Sequence, residues 1–201
     1  MTTLRDIPPL CGALAFSLLL LLPGLAVRSG LMSFDYRFAA LLAVSVLCIG
    51  ACVVLGFTRA ELGLGAAAVA RHWASAAAIT LVLAAFIAIE TKFISDGRPQ
   101  PQWLAFAPFY VLVSSPCQEI VCRAIPMLLA ERMKMTGRGY VLFSAAIFSL
   151  MHWAYGDTLL LVNTFLAGLV WAAAYLITRN IWPIIASHSA VGIFAFWVGV
   201  A

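Results

Sequence analysis

Four ionisable residues of this 201-residue chain, Glu119, Arg123, His152 and His188, lie inside long apolar runs. An ionisable group at the centre of a bilayer costs about 2.5–3.5 kcal/mol on insertion scales, so each needs a reason to be there. Glu119 and Arg123 are four residues apart, which puts them on one helix face, where a carboxylate and a guanidinium can pair. His152 closes the run Phe148-Ser-Leu-Met-His152, and His188 closes Trp182-Pro-Ile-Ile-Ala-Ser-His188. A single histidine of this kind also serves as a helix-to-helix hydrogen bond. One carboxylate and two imidazoles together are the groups needed to bind and deprotonate a water.

The elements that must carry these residues are membrane helices. The chain is 64% hydrophobic and only 10% charged, against about 25% charged in a soluble domain. Its mean hydropathy is +1.04. That composition excludes a soluble globular domain and a disordered chain, and it leaves the bilayer as solvent. At about 20 residues per span, the length allows seven or eight spans and no separate soluble module. The expected fold is an all-α polytopic membrane protein: about seven transmembrane helices in one bundle over residues 1–201, with the site between the last four.

The net charge of +4 does not point to nucleic acid, because the basic residues sit between apolar runs, where they set topology and meet lipid headgroups. Five cysteines, Cys11, Cys48, Cys52, Cys117 and Cys122, all lie in apolar segments. An odd count inside spans is no disulfide framework. Cys48 and Cys52 share a helix face and are expected to be small packing residues rather than a metal pair.

The apolar runs are 8–27, 38–57, 72–93, 103–129, 140–155, 158–177 and 181–201. The first reads as a retained span, because Asp6 weakens a signal-type start and no small-x-small site follows. A polar loop, residues 95–102, separates the third run from the fourth. With the N-terminus cytoplasmic, Arg5, Arg59, Arg71, Arg132, Lys134, Arg138 and Arg179 lie inside, and Arg28, Arg37, Lys92 and Arg98 outside, which favours N-in and C-out. At about 1.5 Å per residue, His188, Glu119 and His152 then lie roughly 10, 15 and 18 Å from the cytoplasmic ends of their helices, compatible with one site. Pro116 is expected to kink the fourth span just before Glu119. Glu90 and Lys92, at the end of the third span, are expected to snorkel to the interface. Asn163 is expected to bridge helices, and His72 to be interfacial.

Three segments together resemble the CAAX prenyl-protease and bacteriocin-processing family of intramembrane endopeptidases, which includes the Ras-converting enzyme. The family's Glu-Glu-x-x-x-Arg is similar to Gln118-Glu119-Ile-Val-Cys-Arg123. Its Phe-x-x-x-His is similar to Phe148-Ser-Leu-Met-His152. Its His followed four residues later by Asn is similar to His188-Ser-Ala-Val-Gly192. Phe165-Leu-Ala-Gly168 and Arg59-Ala-Glu-Leu-Gly63-Leu add to the likeness, which covers residues 59–201 as a catalytic core.

The resemblance implies an intramembrane endopeptidase that cuts a membrane-associated protein or peptide, such as a C-terminal tail or sorting signal. It also implies an integral, multi-pass protein of a prokaryotic plasma membrane. By that resemblance Glu119, His152 and His188 are catalytic, with Gln118, Arg123, Phe148, Gly192 and Asn163 in support. A glutamate and the first histidine activate water, and the second histidine and the asparagine position stabilise the oxyanion. No cofactor is required, although two histidines and a carboxylate are also a zinc-binding set. Two positions depart from the pattern. Gln118 stands where the water-activating glutamate belongs, so Glu119 must take that role or the protein is inactive. Gly192 has no side-chain donor, and Ser189, Asn163 or a backbone N–H is left to substitute. The competing readings are an inactive immunity or regulatory protein on the same fold, and a proton-coupled carrier, for which repeats and paired broken helices are lacking.

Overall fold

A computed structural model describes residues 8–65, 67–93 and 100–200. Arg5, Asp6, Arg98 and positions 95–99 of the polar loop lie outside the described residues. Seven helical rods run through the described chain: α1 (Pro9–Arg28), α2 (Arg37–Val54), α3 (Ala70–Glu90), α4 (Trp103–Arg132), α5 (Gly137–Met151), α6 (Thr158–Thr178) and α7 (Trp182–Trp197). The all-helical bundle expected from composition is what forms. Five rods, α1, α2 (with its leading turn), α3, α4 and α6, are long and apolar enough to cross a membrane. The other two, with 15 and 16 residues, fall short of the ~20 that a full crossing takes.

Local chemistry sets the ends. Pro8 and Pro9 open α1, where a missing N–H does no harm. The Thr136 hydroxyl caps α5 by accepting from the Gly139 N–H. Asp157 caps α6 by accepting from the N–H groups of Leu159 and Leu160, at 2.8 and 3.1 Å.

The fifth apolar run departs most from expectation. It reads as one span through Tyr155, yet α5 stops at Met151 and a 3₁₀ turn, His152–Tyr155, follows. Gly156 closes that turn with φ +67° and donates its N–H to the Trp153 carbonyl. Only glycine takes that left-handed conformation without a Cβ penalty. His152 is therefore at the C-terminal end of its helix, not within it.

The outer faces are apolar. Leu10, Leu14 and Leu18, one turn apart on α1, are each more than half exposed, as a helix facing hydrocarbon requires. Inside, α5 and α6 make the most extensive contact and α3 packs on α7. Cys48 and Cys52 are both buried in the core, as packing residues should be. Lys92 is exposed, but Glu90 does not reach out to an interface. Its carboxylate is buried and accepts from Asn163 Nδ2 at 2.6 Å. A partner on α6 removes the need to snorkel, and Asn163 bridges two helices as expected.

Candidate active site

The site is built on α4, whose line is adjusted at two prolines. A prolyl ring clashes with the carbonyl four residues back and cannot bond to it. Two π turns, Tyr110–Ser114 and Ile120–Ala124, relieve this. Each is closed by the residue before a proline: the Ser115 N–H reaches the Tyr110 carbonyl ahead of Pro116, and the Ile125 N–H reaches the Ile120 carbonyl ahead of Pro126. Such single π turns often mark functional positions. Pro126 also leaves the Cys122 carbonyl without its usual helical donor. The Ser144 hydroxyl takes it at 2.6 Å and Arg123 Nη1 joins at 3.3 Å.

Between the two turns lie Gln118 and Glu119, which face different surroundings. Glu119 is fully buried. Its Oε1 accepts from His188 Nδ1 at 2.7 Å, and its Oε2 stands 3.2 Å from Arg123 Nε. Arg123 is fully buried too, with Nη1 donating to Ser144 Oγ at 3.2 Å and its guanidinium 4.6 Å from the Phe148 ring centre. A buried charge pair is costly unless further partners share its hydrogen-bonding groups; here α5 supplies Ser144 to Nη1 and the Phe148 ring to the guanidinium face, while Nη2 has no hydrogen-bond partner among the described residues.

His188 is locked on every side. Its ring stacks on Trp171 at 4.7 Å and meets the edge of Phe148 at 5.3 Å. Trp171 is itself fixed by Nε1 donating to Ser187 Oγ at 3.0 Å. His188 Nε2 lies 3.2 Å from the Tyr110 hydroxyl. His152 packs on the other side of Phe148, ring centres 4.9 Å apart, and its Nδ1–H donates to the Phe148 carbonyl at 2.8 Å. That bond leaves Nε2 as the lone-pair nitrogen.

A cavity of about 360 Å³ opens beside these groups. Its walls are mostly apolar side chains from α3, α6 and α7, and its polar lining includes Gln118, His152, His188, Tyr110 and the Glu90–Asn163 pair. A second cavity of about 70 Å³ lies toward α1 and α2. Gln118 and His152 line both. Glu119 lines neither and reaches the large cavity only through His188.

The structure therefore joins Glu119, Arg123 and His188 directly, with Phe148 as the ring between His188 and His152. Gln118 points elsewhere on α4, donating to Ser114 Oγ at 2.9 Å. Asn163 is committed to Glu90 across the cavity. Gly192 lines the cavity next to Tyr110. Tyr110 itself escapes sequence reasoning, because an aromatic residue in an apolar run reads as core.

The carboxylate of Glu119 is turned to His188 and Arg123, and both Nδ1 atoms are engaged. Among the described residues no three His, Cys, Asp or Glu side chains stand close enough to share an ion.

No curated protein and no solved structure matches the chain. A family model does, over residues 100–194, the segment that contributes α4 to α7 and nearly all of the polar cluster. Over that segment the chain is similar to the family described as type II CAAX prenyl endopeptidase Rce1-like.

Proposed function

We propose that the protein is an intramembrane peptidase that hydrolyses a peptide bond at the wall of the large cavity. The observation that carries this reading is the position of Gln118 and His152. Both line the apolar chamber and also the small cavity beside it, which has the volume to hold water. A substrate segment in the chamber and a water at its edge would meet at these two side chains.

His152 is the general base in this reading. Its Nδ1–H is held by the Phe148 carbonyl, so Nε2 accepts the proton of the water. Gln118 cannot take a proton, but its amide oxygen can accept a hydrogen bond and orient the same water. The water oxygen attacks the carbonyl carbon, and the C–N bond breaks as the His152 imidazolium returns its proton to the leaving nitrogen. The products are a new carboxyl terminus and a new amine.

Glu119 is a positioning residue. It holds the His188 ring by Nδ1 and turns Nε2 toward the chamber, while Arg123 matches its charge. The substrate is a membrane-associated protein or peptide, and the setting a prokaryotic plasma membrane. Hydrolysis is tested with the purified chain in lipid vesicles, mixed with host membrane proteins in ¹⁸O-water. The reading predicts new carboxyl termini that carry ¹⁸O. New termini without the label, or none at all, contradict it.

A further inference from the structure

The helix α7 carries a glycine, Gly192, one turn after His188 and facing the cavity. A glycine inside a helix costs about 1 kcal/mol relative to alanine, so the position asks for a cause. The backbone supplies none, since Gly192 is not among the residues with positive φ. The cause is a neighbour. A Cβ on residue 192 would meet the Tyr110 hydroxyl, ring carbon Cζ and Cε1, the last two at 2.5 and 2.6 Å. These are ring atoms, which cannot swing aside as the end of a flexible chain would. The ring is held between Phe106 and Phe196, with centres 5.3 and 5.7 Å away, and it is buried. The Tyr110 hydroxyl therefore occupies the space that a side chain at 192 would fill.

That space has a chemical character. The hydroxyl is 3.2 Å from His188 Nε2 and Tyr110 lines the cavity with Gln118 and His152. It ends a chain of polar contacts that runs Arg123, Glu119, His188, Tyr110. With Nδ1–H given to Glu119, a neutral His188 accepts at Nε2 from the tyrosine O–H. A phenolic hydrogen turns about its C–O bond without moving heavy atoms. An oxyanion formed within reach of the hydroxyl is a stronger acceptor than an imidazole nitrogen and draws that hydrogen to itself. Other donors are less suited. Asn163 is bound to Glu90, and Ser189 is buried away from the cavity lining.

We infer that Tyr110 is a catalytic residue: its hydroxyl donates the hydrogen bond that stabilises the tetrahedral oxyanion, and residue 192 is glycine to leave room for it. The inference rests on the peptidase reading. The hydroxyl lends a hydrogen bond and returns to His188 when the oxyanion collapses, so no proton is consumed.

The test is the rate at which wild-type-dependent peptide termini appear in host membranes after induced expression, at equal abundance of each variant. Tyr110→Phe keeps the ring and its packing but lacks the donor, and is expected to slow the rate by about 10²–10³-fold, the usual loss for one oxyanion donor. Gly192→Asn alone is expected to slow it as well, because the new side chain displaces the ring. In Tyr110→Ala combined with Gly192→Asn, the space is open and a donor is restored from the other helix. That pair is expected to run at least tenfold faster than Tyr110→Ala alone. Thermal unfolding in detergent is expected to place Tyr110→Phe close to wild type, which separates chemistry from packing. A Tyr110→Phe protein that works at the wild-type rate, beside a wild type that produces termini, overturns this assignment alone. A wild type that produces none overturns the peptidase reading and this assignment with it.

Discussion

His188 Nδ1 and Glu119 Oε1 are 2.7 Å apart, in the buried interior, and they join α7 to α4. Because the carboxylate lines neither cavity, the proposed mechanism has it act on the chemistry through the ring it holds. The two residues then act as one unit, and residues in one unit give non-additive losses. Glu119→Ala and His188→Ala are each expected to lower the yield of product termini, and the double variant to be little worse than the weaker single one. Product quantification by labelled peptides checks this. Fully multiplicative losses would show that Glu119 acts on its own.

The same carboxylate has a second dependence. Arg123 is its charge partner, and both are shielded from solvent. Removing one member of a buried pair leaves the other uncompensated, at about 3–5 kcal/mol. Arg123→Met and Glu119→Met are each expected to destabilise the protein by that order. The double variant is expected to recover much of the loss, because two apolar side chains then fill the site. Reversible unfolding in detergent measures all three.

Much of this arrangement was legible in the sequence and some was not. Four-residue spacing placed Glu119 and Arg123 on one face, and their pairing follows from helix geometry. The run boundaries follow from hydropathy, and α1 to α4 begin within a few residues of them. What spacing cannot show is which way a side chain turns in a helix that carries π turns. Each π turn adds a residue to one turn of α4, so the 100° step from Gln118 to Glu119 does not decide which of them faces the cavity. The early stop of α5 is also hidden in the hydropathy, since His152-Trp153-Ala154-Tyr155 is apolar enough to continue a helix. Its signal is Gly156, a local turn residue outside the periodic pattern. The bond between Asn163 and Glu90 joins residues 73 apart in the chain, beyond any local rule.

That distant bond carries its own consequence. Glu90 uses one carboxylate oxygen on Asn163, and Oε2 has no hydrogen-bond partner among the described residues. Asn163→Leu removes the donor and leaves the carboxylate buried without it, at about 1–3 kcal/mol. A lower melting temperature is expected for Asn163→Leu, and a smaller drop for Asn163→Leu combined with Glu90→Leu. Equal drops would show that leaving the Glu90 carboxylate unpaired carries no cost.

The helices α5 and α6 pack closely at Gly168. A Cβ there would stand 3.0 Å from the Ala145 Cα, which is backbone and cannot give way. Gly168→Val is expected to push the helices apart and destabilise the fold by about 1–3 kcal/mol, the usual range for overpacking. Gly50→Val, at a glycine on α2 whose Cβ would meet nothing within 4 Å, is the control and is expected to leave stability near wild type.

The central claim is that His152 takes the proton of a water at the edge of the large cavity. It is tested most directly by mapping peptide termini in host membrane and secreted proteins, in strains that carry wild type or His152→Ala at equal abundance. The account predicts specific termini present with wild type and lost with His152→Ala, while the variant stays folded in the membrane. Identical termini in both strains would contradict it.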